Sequence, residues 1–132
     1  MKKIYNFDYF LGKPWSFVLI KNGKIIFRSK AERLKPLILC IRKHKNEMRR
    51  AIVFDKIVGR AAAMLLVHAQ VKEVWTPTIS RDARKYLEKN KIKAEFKKEV
   101  KNIMNQKGSD LCPMEKLSRK MGGNIIRYLL NP

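Results

Sequence analysis

Histidine and cysteine are scarce in this 132-residue chain, two of each, and their placement excludes the commonest metal and disulfide chemistries. Cys40 and Cys112 stand far apart in dissimilar settings, so neither a disulfide framework nor a C-x-x-C metal site is indicated, and a reducing compartment fits. His44 lies among Arg42, Lys43 and Lys45, and His68 near the end of an alanine-rich segment. Neither has a partner at metal-ligand spacing, so no metal is expected. Acidic residues are also few, 11 Asp and Glu against 31 Lys and Arg. The resulting formal charge of +20 creates a positive potential that draws RNA, DNA or phosphorylated metabolites at modest salt; a solvated lysine coat is the simpler alternative.

Long apolar runs are missing too. The longest, Ala61 to Val67, is too short to span a bilayer, so no membrane partner is expected. The start Met1-Lys2-Lys3 is basic, but Asp8 and Gly12 interrupt the chain before an apolar run can form, which argues against a signal peptide and for a cytoplasmic location. None of the patterns G-x-G-x-x-G, G-x-x-x-x-G-K-[ST] or G-x-S-x-G occurs, which removes the usual nucleotide and hydrolase signatures and leaves no cofactor to expect. The chain does have a hydrophobic fraction of 45%, enough for one globular domain of ordinary size.

Two runs rich in β-branched and aromatic residues, Trp15–Ile20 and Lys24–Ser29, flank Asn22-Gly23 and predict a β-hairpin. Leu34, Leu37, Ile38 and Ile41 recur at helical spacing between Ala31 and His44, with Pro36 in the first turn. Ala51–Phe54 reads as a buried strand ended by Asp55, followed by a small-residue helix through Ala61–Val67 and a strand over Val71–Ile79. Ser80 or Asp82 caps a helix from about Arg81 to Asn90, and Ile92–Phe96 alternates as a strand. Val100, Ile103 and Met104 suggest a further short helix, then a loop from Asn105 to Asp110 bends at Gly108. A last helix opens at Cys112 and ends at Gly122-Gly123, and the segment after it is a short helix or a tail. The alternation of strand and helix implies right-handed crossovers and a partly parallel sheet.

Two stretches are candidates for chemistry. In Asp55-Lys56-Ile57-Val58-Gly59-Arg60, a strand empties into a helix at the edge where ligands of α/β sheets bind. There Asp55 is either an acid or base, with Lys56 or Arg60 holding an anion and Gly59 allowing close approach, or it simply caps the helix. In Cys112-Pro113-Met114-Glu115, Cys112 is the chain's best candidate for a reactive thiol, because a helix start stabilises a thiolate. The structural alternative puts Pro113 at the first helical position, with Glu115 reaching back as a capping-box carboxylate.

Taken together, the hairpin, Lys35-Pro36-Leu37, the Asp55-to-Ala63 stretch, Val71-Lys72-Glu73-Val74-Trp75, Ser80-Arg81-Asp82-Ala83 and Leu111-Cys112-Pro113-Met114-Glu115 resemble an uncharacterised family of small prokaryotic proteins. That family is a domain of unknown function grouped within the cytidine deaminase-like superfamily, and the resemblance runs from about Trp15 to Leu117. It implies an α/β fold, a three-layer α/β/α deaminase-like domain over residues 1–132. The mixed central sheet would begin with the N-terminal hairpin, and the N-terminal segment 1–14 and the C-terminal tail 118–132 lie outside the stretch that carries the resemblance. Zinc deaminases carry H-x-E or C-x-E at one core helix start and P-C-x-x-C at the next. The corresponding starts here, Asp55 to Arg60 and Ser80 to Ala83, supply neither His nor Cys. The expectation is therefore a zinc-independent protein that binds a nucleotide-like or other anionic small molecule. Asp55 and Cys112 are its catalytic candidates, and Lys56, Gly59, Arg60 and Glu115 are its ligand-binding candidates. The alternatives are a basic RNA- or DNA-binding module without catalysis, or a structural homo-oligomer, since members of this superfamily often oligomerise.

Overall fold

A computed structural model describes residues 5–104 and 107–130. The first half of the chain forms α1 (Phe7–Leu11), β1 (Phe17–Lys21), β2 (Lys24–Ser29), α2 (Lys35–Met48), β3 (Ile52–Asp55) and β4 (Ile57–Val58). The second half forms α3 (Arg60–His68), β5 (Glu73–Ser80), α4 (Arg81–Lys89), β6 (Lys93–Val100), α5 (Pro113–Met121) and α6 (Asn124–Leu130).

All six strands join one mixed sheet. β1 pairs antiparallel with β2 on one side and with β3 on the other, while β3, β4 and β6 all run parallel to β5. β3 and β4 share one register against β5, Phe54 opposite Trp75 and Ile57 opposite Thr78. They are therefore a single strand interrupted at Asp55–Lys56, and β6 holds the far edge of β5. The hairpin turns at Asn22 and Gly23, both at positive φ as a type I′ turn requires.

Strand alternation sorts the core into two faces. Phe17, Leu19 and Val53 pack with α2, α3 and α4 through Leu37, Cys40, Leu65, Leu66 and Leu87. Val18, Ile20, Phe54 and Trp75 point the other way, where Phe7 and Phe10 of α1 cover them. Helices thus flank the mixed sheet on both faces, as the α/β reading requires, but unequally. The alanines of α3 are buried, which lets that helix lie close to the sheet and leaves its outer side to α5 and α6 through Ala61, Met64 and Ile125.

The interruption has a visible cause. Continuing the shared register puts Pro77 of β5 opposite Lys56, and proline has no N–H to give a ladder. Thr76, fully buried, bridges the gap: its Oγ donates to the Thr78 carbonyl at 2.9 Å and accepts from the Thr78 amide at 3.3 Å. Lys56 N–H turns instead to the Ser16 carbonyl at 2.9 Å. The break resets the side-chain alternation, so that Val53, Asp55 and Val58 can all face the helices.

Several elements differ from expectation. No helix forms over Val100–Met104; the strand beginning near Ile92 continues to Val100, because the β5 ladder goes on pairing as far as Ser80 opposite Val100. β6 is an edge strand whose Lys and Glu face water, so apolar periodicity could not reveal its length. Helix α1, in the N-terminal segment for which no element was expected, is capped by Asn6, which accepts the Tyr9 amide at 2.9 Å. Ser80 rather than Asp82 caps α4, Gly122 ends α5 at positive φ, and the last segment is helical. α2 starts four residues later than expected and continues past a kink at His44. Gly108 is at positive φ as a bend requires, while residues 105 and 106 of that loop, and residues 1–4 and 131–132, lie outside the described residues.

Candidate functional site

The strand break opens onto a cavity of about 450 Å³. Its walls come from the β3–β4 junction, the start of α3, the β2–α2 connection and the start of α5, with Ile103 and Met104 closing one side. Five of the six expected site residues line it: Asp55, Lys56, Gly59, Cys112 and Glu115. Arg60 does not. It contributes its backbone amide to Glu115, and its side-chain Nε is buried with no hydrogen-bond partner.

Asp55 ends β3 and is 5% exposed. Burial pushes its carboxyl up to about 8, against the opposing pull of the Ile57 and Lys56 amides. At neutral pH it is thus largely a carboxylic acid, able both to donate and to accept a hydrogen bond. It does not cap α3, contrary to the structural alternative: Gly59 occupies the N-cap and offers no side chain.

The cap comes instead from Glu115. Its Oε1 accepts the Arg60 amide at 2.5 Å, tying the starts of α3 and α5 together across 55 positions of sequence. The capping-box reading of Glu115 is therefore corrected, because Cys112 N–H already donates to the Ile103 carbonyl at 2.8 Å. Gly59 is what allows this approach, since a Cβ there would overlap the Glu115 carboxylate and stand 3.0 Å from Ile103 Cγ1. Burial raises the Glu115 carboxyl above its ordinary value, opposed by the Arg60 amide and the Arg119 charge. Its second oxygen, Oε2, is buried without a partner.

Cys112 sits at the N-cap of α5, with Pro113 beginning the helix. Its Sγ accepts a contact from Arg33 Nη1 at 3.6 Å. Arg33, Lys30 and Ser16 also line the cavity and were not singled out by sequence reasoning. The connection that carries Lys30 and Arg33 has no motif, and Arg33 takes a positive φ that its residue type does not advertise. Cys40 is fully buried in α2 and burial pushes its thiol up to about 12, so on the order of one part in ten thousand is thiolate at pH 8. Cys112 is also buried, 7% exposed, but lines the cavity, so in native protein a maleimide or iodoacetamide probe at pH 8 should label it at least about tenfold faster than Cys40. Mass spectrometry of the two peptides checks this, and equal rates would make Cys112 a sealed core thiol.

The model of the domain of unknown function DUF1893 (TM1506) matches residues 8–130. The chain belongs to the DUF1893 family. A solved DUF1893 protein, TM1506 from Thermotoga maritima, superposes with a TM-score of 0.84 at 29% identity, over 93% of this chain and 84% of that one. Acinetobacter baumannii RibD, a deaminase-like enzyme, matches with a TM-score of 0.52 at 17% identity; 87% of this chain corresponds to 33% of RibD. That second likeness concerns the fold alone and makes it deaminase-like. No curated protein matches the chain.

Zinc deaminases hold their metal with His and Cys side chains. Among the described residues no group of three or more His, Cys, Asp or Glu converges as a metal-holding cluster. Neither His44 nor His68 lines the cavity, and the Glu115 oxygen that approaches the start of α3 is already committed to an amide.

Proposed function

We propose that this DUF1893 chain binds a small anionic molecule, nucleotide-like in pairing a planar body with a phosphate or carboxylate, in the cavity at the β3–β4 break. The observation that carries this reading is that one cavity is lined by the largely protonated Asp55 together with Lys30, Arg33 and Lys56, with Glu32 between the first two cations. A volume of about 450 Å³ falls within the roughly 300–1,000 Å³ of ligand clefts, and its apolar walls suit a planar body. The position agrees with the general rule that ligands of open α/β sheets bind beyond the carboxyl ends of parallel strands. In this reading the cations hold the anion. Asp55 donates to a ring nitrogen or carbonyl oxygen and is the group able to move a proton. Cys112, held beside Arg33, is the candidate nucleophile.

A thermal-shift panel of nucleoside monophosphates and small aromatic carboxylates tests it. A ligand at ten times its Kd should stabilise the wild type by about 1.4 kcal/mol, a shift of several degrees at this size. Asp55→Ala should abolish the shift while the variant still unfolds cooperatively. A shift of unchanged size in that variant, or no response to any member of the panel, counts against the proposal.

A further inference from the structure

We propose that the sheet edge opposite the cavity binds the sugar–phosphate backbone of a nucleic acid. The edge is made where the parallel strands begin and where the β1–β2 hairpin turns. It presents Lys21, Lys24, Arg49, Arg50, Lys72 and Lys91, all exposed except the half-buried Lys21. Backbone bonds stitch these turns side by side: Arg50 N–H to the Gln70 carbonyl and Lys72 N–H to the Ala51 carbonyl, both at 2.8 Å. Lys21 Nζ reaches the Arg49 carbonyl at 2.8 Å and ties the hairpin into the same row. Five strand positions at about 4.8 Å spacing make a row of about 20 Å, the length of about six phosphates along one strand at about 3.4 Å each.

Three features mark this edge. First, its six cations stand in one row, and among the described residues none of them is in an ion pair; Arg81, Arg84, Lys97, Lys116 and Arg119 are paired, while other cations such as Lys56 and Lys98 are not. Of the acids closest in sequence, Glu88 pairs with Arg84, while Glu47 contacts His44 and Glu73 accepts the Trp75 indole N–H. Second, the edge is grooved. A cleft of about 420 Å³ lined by Lys45, Arg49, His68 and Gln70 adjoins one of about 390 Å³ lined by Lys21, Lys24 and Glu47, and Asn46 belongs to both. Third, Arg50 and Lys91 hold φ of 60° and 61°, a conformation that costs a residue with a Cβ roughly 1–2 kcal/mol and that glycine or asparagine fills more easily. Long cations stand there despite that cost.

The same surface argues for the kind of partner. The large exposed hydrophobics, Leu11, Leu39, Ile57, Met104 and Tyr128, lie on other parts of the molecule. Among the described residues the edge therefore offers no apolar anchor for a membrane surface and no aromatic hot spot for a protein partner. Without aromatic platforms for bases, recognition falls on phosphates and tolerates sequence.

The test uses the full chain and a labelled 20-base-pair duplex across a salt series, beside the triple variant Arg50→Asn, Lys72→Gln, Lys91→Asn. Asparagine suits the positive φ at both turns, so the fold is retained. A control triple, Lys13→Gln, Lys98→Gln, Lys101→Gln, removes equal charge elsewhere. Wild-type affinity should fall with salt at a slope of about −4 to −5, corresponding to about five phosphates. The edge triple should flatten that slope by about 2 to 3 and weaken binding at least tenfold at 100 mM salt, with the control within about twofold. Asp55→Ala should bind the duplex like the wild type, so failure of the cavity proposal leaves this one standing. Equal losses in both triples, no binding at low salt, or tighter binding to anionic phosphatidylserine vesicles than to the duplex would overturn it.

Discussion

Replacing Asp55 by asparagine should make the protein more stable above pH 8 and remove most of a decline in stability that the wild type shows as pH rises. The carboxyl ionises near 3.8 when unfolded and near 8 when folded. Below about pH 4 both states hold the proton and the site contributes no pH dependence. Between about 4 and 8 the folded state keeps a proton that the unfolded state has lost, so stability falls by about 1.4 kcal/mol per pH unit. Above 8 the full penalty is present, on the order of 5 kcal/mol, against a typical total stability of about 5–15 kcal/mol. Urea midpoints from pH 4.5 to 9 check this: the two proteins should converge near pH 4.5 and separate steadily upward. Parallel profiles would mean that Asp55 is solvated. Glu115, raised by burial in the same way, adds a decline of the same sign, which Glu115→Gln should remove. A buried acid that lowers stability at neutral pH is expected of a functional site rather than a structural one.

Gly59→Ala should destabilise the fold by about 2–3 kcal/mol, the scale of a forced methyl in a packed interior. Backbone conformation is not the cause, since φ at Gly59 is −99°; the cause is the Glu115 carboxylate occupying the space. Displacing that carboxylate strips the Arg60 amide of its cap and leaves both starting turns misplaced. The signature is therefore coupling. In a Glu115→Ala background, itself about 1 kcal/mol less stable for loss of the cap, the added methyl should cost about 1 kcal/mol or less, with Ile103 still close. A double-mutant cycle by denaturant unfolding reads the interaction directly. Additive costs would show that the two helix starts are held together by something other than this contact. The same Gly59 variant should also weaken ligand stabilisation, because the cavity wall moves with Glu115.

Elements whose signal is local were legible in the chain. Asn22-Gly23 specified the hairpin through the φ values that only such residues adopt easily, and the 3.6-residue recurrence of Leu34, Leu37, Ile38 and Ile41 specified an apolar helix face. The resemblance to a deaminase-like family placed these pieces in order. β6 was half legible: Ala94 and Phe96 alternate, but its continuation to Val100 rests on pairing with β5, an interaction that leaves no apolar mark on an exposed edge. Val100, Ile103 and Met104 instead mimicked a helix, since the three- and four-residue spacing of that period also arises when a strand end and a cavity wall follow one another.

The candidate site divides along the same line. Asp55, Gly59 and Cys112 could be singled out because an acid after a strand, a glycine before a helix and a thiol before proline each carry a local chemical meaning. By itself the sequence determined those residue types, the charge imbalance and the order of strands and helices from the hairpin to the start of β6. Only the tertiary structure decided that Pro77 across the sheet breaks the strand at Asp55, that Glu115 caps the other helix rather than its own, and that Arg33 stands beside the sulfur. It likewise decided that Lys21, Lys24, Arg49, Arg50, Lys72 and Lys91 share the edge away from the cavity. The physical reason is that each of these depends on desolvation or contact between segments tens of residues apart, and the free energy of such a contact belongs to the folded arrangement, not to any stretch of chain.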